Sequence, residues 1–223
     1  MDRRYNEFAN SFIASYSEFL FALQGAYLSR VAPGAEITPQ LISDFMRDVD
    51  AVTATYVTNA MRSLWDFHFE VWDGSSVADD MQRVTLARLA IVGIIADNAY
   101  QLERRLKGSK KGFLNLLHNT HGGVGLLVQR KMQKMDFTAT DTSGRTWDAK
   151  KLMYVIVRDF AYQTVIDRQY ADLKQAGETT GTLVYEDESH ANFGLKIKLS
   201  DEEERKRFFH INATAELESV HSE

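Results

Sequence analysis

The stretch that decides the fold is FTATDTSGRTWDAKKLMYVIVRDFAYQ, from Phe137 to Gln163. Its first residues alternate between threonine and other side chains, a period of two that is typical of a strand. Ser143 and Gly144 tolerate the backbone angles of a tight turn. From Asp148 onward, apolar residues recur at three- and four-residue spacing, which predicts an amphipathic helix with one buried face. We therefore expect a strand, a turn and a long helix in direct succession.

The sequence before this stretch predicts long helices. Both prolines, Pro33 and Pro39, lie in one segment, and proline-free sequence permits uninterrupted helices. Thr38 suits an N-cap, and Pro39 suits the first helical turn, where its missing amide hydrogen costs nothing. The first helix has an aromatic-rich apolar stripe from Phe8 to Leu23. We predict four helices here, over residues 3–29, 39–65, 77–106 and 113–135.

The sequence after this stretch is shorter and mixed in character. Gly177 is placed to end the long helix, and residues 182–186 and 193–199 have the pattern of two strands. Ser200 with Glu203 predicts a capping box at the start of a last helix. The final residues, 215–223, fit either a frayed end or a docking tail.

These elements predict a mainly α fold, with a helical amino-terminal region over 1–135 and a small α+β carboxy-terminal domain over 136–223. The 223 residues, of which 44% are apolar, are enough to bury a core in one domain or two small ones. The chain has no cysteine, which excludes disulfides, thiolate metal sites and a cysteine nucleophile. No apolar run is long enough to span a bilayer, and we expect a soluble protein without a secretion signal.

Two motifs in the carboxy-terminal region resemble a known family. The first is Asp, a small residue, Gly-Arg-x-Trp and then a helix with Val-x-Arg; the second is Ala-Asn-x-Gly, a strand, an acidic helix and His-x-Asn. The positions that define these motifs are Asp141, Gly144, Arg145, Trp147, Arg158, Asn192, Gly194, His210 and Asn212. Their order is similar to the carboxy-terminal half of minor head proteins of tailed phages, a group that includes the head-morphogenesis proteins of the phage Mu F type.

This resemblance implies a structural protein of the virion. The family is present in a few copies near the portal or inside the head, takes part in head assembly in the host cytoplasm, and can leave with the DNA during injection. The implied partners are portal or capsid proteins within an oligomeric assembly, together with packaged DNA. Ile211 stands where the family has Pro, and Ala213 where it has Cys, so a thiol or metal role for that ending is absent here.

A cluster of basic residues precedes these motifs. Between Arg104 and Met135 there are eight basic residues and no acidic one: Arg104, Arg105, Lys107, Lys110, Lys111, Arg130, Lys131 and Lys134. Concentrated positive charge favours contact with the DNA backbone or with an acidic face of a partner protein. The alternative is a solvated surface that flanks an apolar helix.

One pair of residues suggests catalysis. Arg62 and His68 have a spacing that resembles the Arg-x(4–6)-His signature of HEPN-type ribonucleases, in which two such pairs come together, here by dimerisation. The alternative is an exposed Arg62 and a His68 that packs beside Trp65 and Trp72. Besides the virion protein, the sequence therefore allows a helical ribonuclease or a small protein that inhibits another by binding it.

Two groups have residue types that ligate metals. His118 and His121 would share one face of a helix, as metal ligands require, although Gly122-Gly123 favours a helix end at that point. Residues 186–188 with His190 could hold a divalent cation between two strands, or form an acidic loop in water. Without a phosphate-binding glycine loop, a nucleophile elbow or a zinc-protease motif, we predict a binding protein with no metal, no cofactor and no enzymatic activity.

Overall fold

The computed structural model describes residues 3–30, 38–73, 78–108, 137–210 and 212–220. In this part of the chain the helices are α1 (Arg4–Arg30), α2 (Pro39–Val71), α3 (Ala78–Gly108), α4 (Ala149–Gln175) and α5 (Glu202–Phe208). The strands are β1 (Thr138–Thr140), β2 (Thr146–Asp148), β3 (Thr180–Val184), β4 (Lys196–Lys198) and β5 (Glu216–Glu218). The predicted fold class, mainly α with a helical amino-terminal region and a small α+β part at the carboxy-terminal end, is confirmed.

The first three predicted helices are present as α1, α2 and α3. Thr38 is the N-cap of α2, because its Oγ1 accepts a hydrogen bond from the Leu41 amide at 3.1 Å. The helix α2 continues past the predicted end at Trp65 because Phe67 and Val71 extend its buried face. The predicted fourth helix, over 113–135, lies outside the described residues.

Two predictions near the ends of the motifs need correction. We predicted one strand, a turn and then a helix from about Asp148. The helix does begin at Ala149, but Thr146–Asp148 directly before it forms a second strand, β2, which pairs antiparallel to β1. The N-cap of the last helix is Asp201 rather than Ser200, since the Asp201 carboxylate accepts hydrogen bonds from two amides of the first turn. An aspartate there also interacts favourably with the positive end of the helix dipole.

The carboxy-terminal segment contains a strand that the sequence did not reveal. Glu216–Glu218, within the stretch expected to be a frayed end or a docking tail, is β5 and pairs antiparallel to β3. With β4 on the other side of β3, the sheet has the order β4-β3-β5. The two predicted strands are therefore present, at slightly different positions, and a third completes their sheet.

The chain divides into two compact units. The first unit comprises Met1–Phe12, Ser63–Ala87 and Tyr154–Glu223, and the second comprises Ile13–Arg62 and Arg88–Met153. The predicted domain boundary between residues 135 and 136 lies outside the described residues. Among the described helices, none has the length and apolar character needed to cross a bilayer.

The core of the first unit combines a sheet with aromatic helix contacts. In the sheet, Leu183 of β3 pairs with Leu217 of β5, and both are buried. Gly181 of β3 is also buried, and a Cβ there would lie 2.9 Å from Cδ2 of Leu217. Among the helices, the rings of Phe8 and Phe67 stack with their centroids 4.4 Å apart. The helix α4 contacts both groups, since Leu173 lies beside Gly181 and the Phe160 ring lies 6.4 and 6.3 Å from those of Phe8 and Phe67.

The core of the second unit lies between α1, α2 and α3. The rings of Phe19 and Tyr56 stack with centroids 4.6 Å apart, and the buried Asn98 amide donates a hydrogen bond to the hydroxyl of Tyr16. Gln101 bonds to the backbone of Thr138 in both directions, donating from Nε2 to the carbonyl oxygen at 2.5 Å and accepting from the amide at 3.2 Å. One side chain of α3 thus fixes the start of β1.

Candidate functional site

The first motif forms the β1–β2 hairpin, and one carboxylate organises it. Oδ1 of Asp141 accepts hydrogen bonds from the amides of Ser143 and Arg145, each at 2.9 Å. Oδ2 accepts from Nε of Arg145 at 2.9 Å and from Nε1 of Trp147 at 2.8 Å. Gly144 has a φ of 77°, in the left-handed region that glycine adopts without strain. Asp141, Gly144, Arg145 and Trp147 of the motif therefore each have a defined part in the hairpin.

These bonds stabilise the charged form of Asp141. Hydrogen bonds from the Arg145 backbone, above all, and from the Trp147 indole lower the pKa of the Asp141 carboxyl to about 2. Arg145 also lies over the Trp147 ring, with 5.6 Å between its guanidinium carbon and the ring centroid, yet its side chain is 69% exposed. The hairpin therefore presents one exposed cation on a rigid turn.

Arg158, the residue of the first motif that lies in the first unit, holds the segment around the second motif. Its Nη2 donates a hydrogen bond to the carbonyl oxygen of Ala213 at 3.1 Å, and its Nε donates to Oδ1 of Asn6 at 3.1 Å. The guanidinium also lies over the rings of Tyr5 and Tyr162, 5.3 and 5.8 Å from their centroids. Arg158 is therefore a structural link between α4 and the segment that carries the second motif.

Further residues of α4 hold the same segment. The Tyr162 hydroxyl donates to the carbonyl oxygen of Ala215 at 2.6 Å. Nε2 of Gln163 donates to the carbonyl oxygen of Phe209 at 2.7 Å, and Oε1 of Gln169 accepts from the amide of Leu217 at 3.0 Å. Successive turns of α4 thus bind the backbone from 209 to 217.

The second motif lines a pocket of about 320 Å³ in the first unit. Its polar lining includes Tyr185, His190, Asn192, Arg207, His210 and Asn212. No aspartate or glutamate is among its lining residues. The structure therefore brings together three motif residues, Asn192, His210 and Asn212, and surrounds them with hydrogen-bond donors.

Two turns with the same sequence pattern, His-x-Asn, form part of this pocket. Nδ1 of His190 accepts a hydrogen bond from the amide of Asn192 at 3.2 Å, and Nδ1 of His210 accepts from the amide of Asn212 at 3.3 Å. The His190 ring also stacks on Tyr185, with centroids 3.8 Å apart. Gly194, with a φ of 76°, donates its amide hydrogen to the carbonyl oxygen of Leu183 and so starts the return to β4.

The predicted basic cluster is mostly outside the described part of the structure. Arg104, near the end of α3, is exposed. The side chains of the other seven cluster residues, from Arg105 to Lys134, lie outside the described set. The DNA-binding hypothesis for this cluster therefore stays a prediction.

The predicted catalytic pair has one exposed and one buried member. Arg62 is exposed on α2, whereas the His68 side chain is 2% exposed. The His68 ring contacts those of Trp65 and Trp72, with centroids 6.0 and 6.3 Å apart. His68 thus has the aromatic surroundings of a core residue, and its ring is not open to a large substrate in this chain.

The candidate metal ligands do not form a metal centre in the described residues. His118 and His121 lie outside that part of the chain. In the acidic loop, Asp187 is occupied by Ser189, whose amide and hydroxyl donate to it at 2.9 and 2.6 Å, and this holds the pKa of Asp187 below its usual value. Nowhere in the described residues do three or more His, Asp or Glu side chains group so as to hold a metal ion.

Sequence reasoning missed Arg207 and Tyr185 as members of the pocket. Arg207 is the last of three basic residues that follow three acidic ones in α5, where the sequence suggests a solvated helix face, and Tyr185 follows a strand without any motif. One signal was available, because His-x-Asn occurs twice, at 190–192 and at 210–212. Recognising that repeat would have directed attention to both turns.

Comparisons with protein-family models, curated proteins and solved structures found no match to this chain.

Proposed function

We propose that this chain is a structural protein of a phage head, of the minor head class, which binds portal or capsid proteins and contacts DNA. The proposal begins from the two motifs in the carboxy-terminal region and their order along the chain. It places the protein in the virion, assembled in the host cytoplasm as part of an oligomeric complex. It assigns binding, and no catalysis, to the chain.

The observation that carries the proposal is the hydrogen bond from Arg158 to Ala213. Arg158 belongs to the first motif, and it donates to the backbone carbonyl of Ala213, the residue after Asn212 of the second motif. A side chain of one motif therefore holds the backbone next to the other, at a position where this chain has Ala in place of the family's Cys. In the hairpin, Asp141, Arg145 and Trp147 bind each other. Motif residues that hold a fold together are typical of a scaffold for binding, whereas a catalytic motif directs its reactive groups toward a substrate.

An exposed apolar face of α3 supports a partner-binding role. Leu89 and Tyr100, both in the second unit, are 62% and 59% exposed. Eleven residues are about three helical turns, so these two side chains lie on one face of α3. Apolar groups at this spacing are the anchors with which a helix enters a groove of another protein. We assign this face to the contact with a portal or capsid protein.

The test is whether the chain copurifies with phage heads. The tagged chain, produced in cells during phage assembly, is expected to sediment with heads and to occupy a defined position at the portal or inner wall by cryo-electron microscopy. The double variant Leu89→Glu/Tyr100→Glu should reduce this association about tenfold or more, because it removes two central apolar anchors. Thr58→Glu, at an exposed position of α2 in the same unit, is the control and should associate normally.

A folded chain that never associates with heads would overturn the proposal. RNA cleavage by the purified protein, abolished in Arg62→Gln, would replace it with the ribonuclease alternative. Arg62 suits this arm because it is exposed and its substitution leaves the core intact.

The DNA contact has a separate test in the basic cluster. Replacing Lys107, Lys110, Lys111 and Lys131 by Gln should weaken binding to duplex DNA. The slope of log K against log salt should also flatten, by roughly 0.9 for each phosphate that the variant no longer neutralises. Unchanged affinity and slope would mean that this cluster does not bind DNA, and would not affect the proposal that the chain binds phage heads.

A further inference from the structure

The pocket between the two His-x-Asn turns has the composition of an anion site. Its polar lining contains a guanidinium, two imidazoles and two carboxamides, and no carboxylate. A volume of about 320 Å³ is at the small end of the range for ligand sites. Arg207, His190 and His210 are exposed on its surface, so a ligand can reach them from solvent.

The two turns fix the direction in which the imidazoles donate hydrogen bonds. In each ring Nδ1 accepts from the backbone amide of an asparagine, at 3.2 Å for His190 and 3.3 Å for His210. An accepting Nδ1 carries no hydrogen, so the neutral ring carries its hydrogen on Nε2. Both histidines are thereby set as Nε2–H donors. The stack of His190 on Tyr185 further restricts one of these rings.

Arg207 supplies the charge. Among the described residues no carboxylate pairs with Arg207, whereas its neighbour Lys206 pairs with Glu203 at 3.1 Å. The guanidinium of Arg207 lies over the Phe208 ring, with 5.1 Å between the guanidinium carbon and the ring centroid. The carboxyl end of α5 brings a partial negative charge of about half a unit, which the full charge of Arg207 exceeds.

We infer that this pocket binds a phosphate group, with Arg207 as the charged contact and the Nε2–H groups of His190 and His210 as further donors. A phosphate offers several acceptor oxygens in different directions, which suits donors that come from α5 and from two separate turns. A divalent cation would meet the positive charge of Arg207, and no carboxylate lines the pocket to offset it. The acidic side chain that interacts with His190, Asp187, lies outside the lining and accepts hydrogen bonds from Ser189. The phosphate belongs either to a free nucleotide or to a nucleic-acid backbone. This inference stands apart from the proposed function.

The experiment is a titration of the ¹⁵N-labelled full chain, followed by NMR on backbone amides and histidine side chains. The probes are inorganic phosphate, a 5′-mononucleotide and a short single-stranded oligodeoxynucleotide. Without ligand, both rings should show the Nε2–H tautomer. With each phosphate probe that binds, saturable shifts should centre on His190, Asn192, His210 and Asn212.

Three variants separate this pocket from general basic charge. Arg207→Gln removes the guanidinium and its charge while keeping a polar side chain, and should weaken phosphate binding about tenfold, the usual effect of removing a charge-assisted hydrogen bond. His190→Phe keeps the stack on Tyr185, removes one donor, and should weaken binding by a smaller factor. Lys206→Gln removes the same charge one residue away and lines no part of the pocket, so it should change affinity less than twofold.

The outcomes show whether the phosphate belongs to a nucleic acid or to a free nucleotide, and which results contradict the inference. If the oligonucleotide binds far more tightly than the mononucleotide, with both affinities lowered by Arg207→Gln, the site serves a nucleic-acid backbone. Equal affinities for these two probes point to a free nucleotide. No saturable shift with any probe, an equal weakening by Arg207→Gln and Lys206→Gln, or a response of both imidazoles to Zn²⁺ alone would overturn the inference.

Discussion

The β1–β2 hairpin and the strand β5 are held in place in opposite ways. In the hairpin, Asp141 binds groups no farther along the chain than Trp147. The strand β5 depends instead on distant partners, since it pairs with β3 and its Leu217 amide donates to Gln169 of α4. The turn of the hairpin is thus held locally, even though Gln101 of α3 also bonds to Thr138 at the start of the hairpin, whereas β5 belongs to a core assembled from distant parts of the chain.

This difference shows which forces stabilise each region. Closing a short turn costs little chain entropy, so a few polar bonds to one carboxylate are enough to define it. Bringing β5 back to β3 and α4 costs more, and the burial of Leu183 and Leu217 offsets that cost. We expect core substitutions to affect the whole first unit and hairpin substitutions to act locally.

The largest expected effect comes from the apolar contact between Leu183 of β3 and Leu217 of β5. Leu183 is fully buried, so Leu183→Ala removes buried methyl groups and leaves a cavity. The free energy of unfolding should fall by about 3 kcal/mol. Urea denaturation followed by circular dichroism measures this as a lower midpoint.

The matched control is Leu195→Ala in the turn before β4, where the side chain is 42% exposed. Its expected change is within about 0.5 kcal/mol. A similar destabilisation by both variants would mean that burial under β5 does not set the stability of this region.

The second effect comes from the polar contact between α4 and the segment before β5. Tyr162→Phe removes the hydroxyl that donates to the Ala215 carbonyl and leaves a buried acceptor without that bond. We expect the free energy of unfolding to fall by about 2 kcal/mol, with faster amide hydrogen exchange at 212–218 and no change in the hairpin.

Tyr154→Phe is the control for Tyr162→Phe. Tyr154 is on the same helix, is partly exposed, and has no hydrogen bond from its hydroxyl within the described residues. Faster amide exchange in the hairpin after Tyr162→Phe would show that the β1–β2 hairpin and β5 are not stabilised independently.

The same distinction explains what the sequence could predict. The turn at Ser143 and Gly144, the N-cap Thr38 and the helix end at Gly177 were predictable because each depends on neighbours in the sequence. Gly177, for example, has a φ of 80° that suits glycine. The strand β5 could not be predicted, because its short, partly acidic sequence becomes a strand through pairing with β3.

The pocket followed the same rule. Its motif residues Asn192, His210 and Asn212 were singled out by the family resemblance, which gives them in sequence order without placing them in a pocket. Arg207 and Tyr185 line the pocket because the chain returns from β3 to α5, and no local sequence pattern predicts that return.

The N-cap of α5 shows that sequence prediction is limited even between neighbouring residues, since Asp201 and Ser200 are adjacent and both suit an N-cap. The carboxylate prevailed because its longer reach and charge serve two amides.

The third effect compares two glycines of the second unit. A Cβ at either Gly144 or Gly25 would meet no atom within 4 Å, but Gly144 alone of these two has a positive φ, 77°. Gly144→Ala should therefore cost about 1 kcal/mol through backbone strain. Gly25→Ala, inside α1, should stabilise the chain by about 0.5–1 kcal/mol through its helix propensity.

Thermal unfolding measures both glycine variants. We expect Gly144→Ala to lower the melting temperature and Gly25→Ala to raise it, because both sites have room for a methyl group and differ in backbone conformation. A stabilising Gly144→Ala would mean that the turn relaxes to negative φ at no cost, and that the Asp141 bonds do not fix it.

The smallest effect on global stability is the response of the hairpin to pH, because Asp141 lies near solvent. An unfolded aspartate has a pKa near 3.9, and hydrogen bonds lower the pKa in the hairpin to about 2. A lowered folded pKa means that the contribution to stability is fully present above about pH 4 and declines as the pH falls toward 2. The hairpin should therefore loosen in acid through this one group.

The indole resonance of Trp147 is the measurement, because its Nε1 donates to Asp141 Oδ2 at 2.8 Å. In the native chain this resonance should move between pH 4 and pH 2 in step with protonation of Asp141, before or apart from global unfolding. In Asp141→Asn it should not titrate. The hairpin should respond to acid when Asp141 is protonated, whereas the amides of β5 should stay protected from hydrogen exchange until the core unfolds. Simultaneous disappearance of both signals would instead make the hairpin part of the same cooperative unit as the sheet.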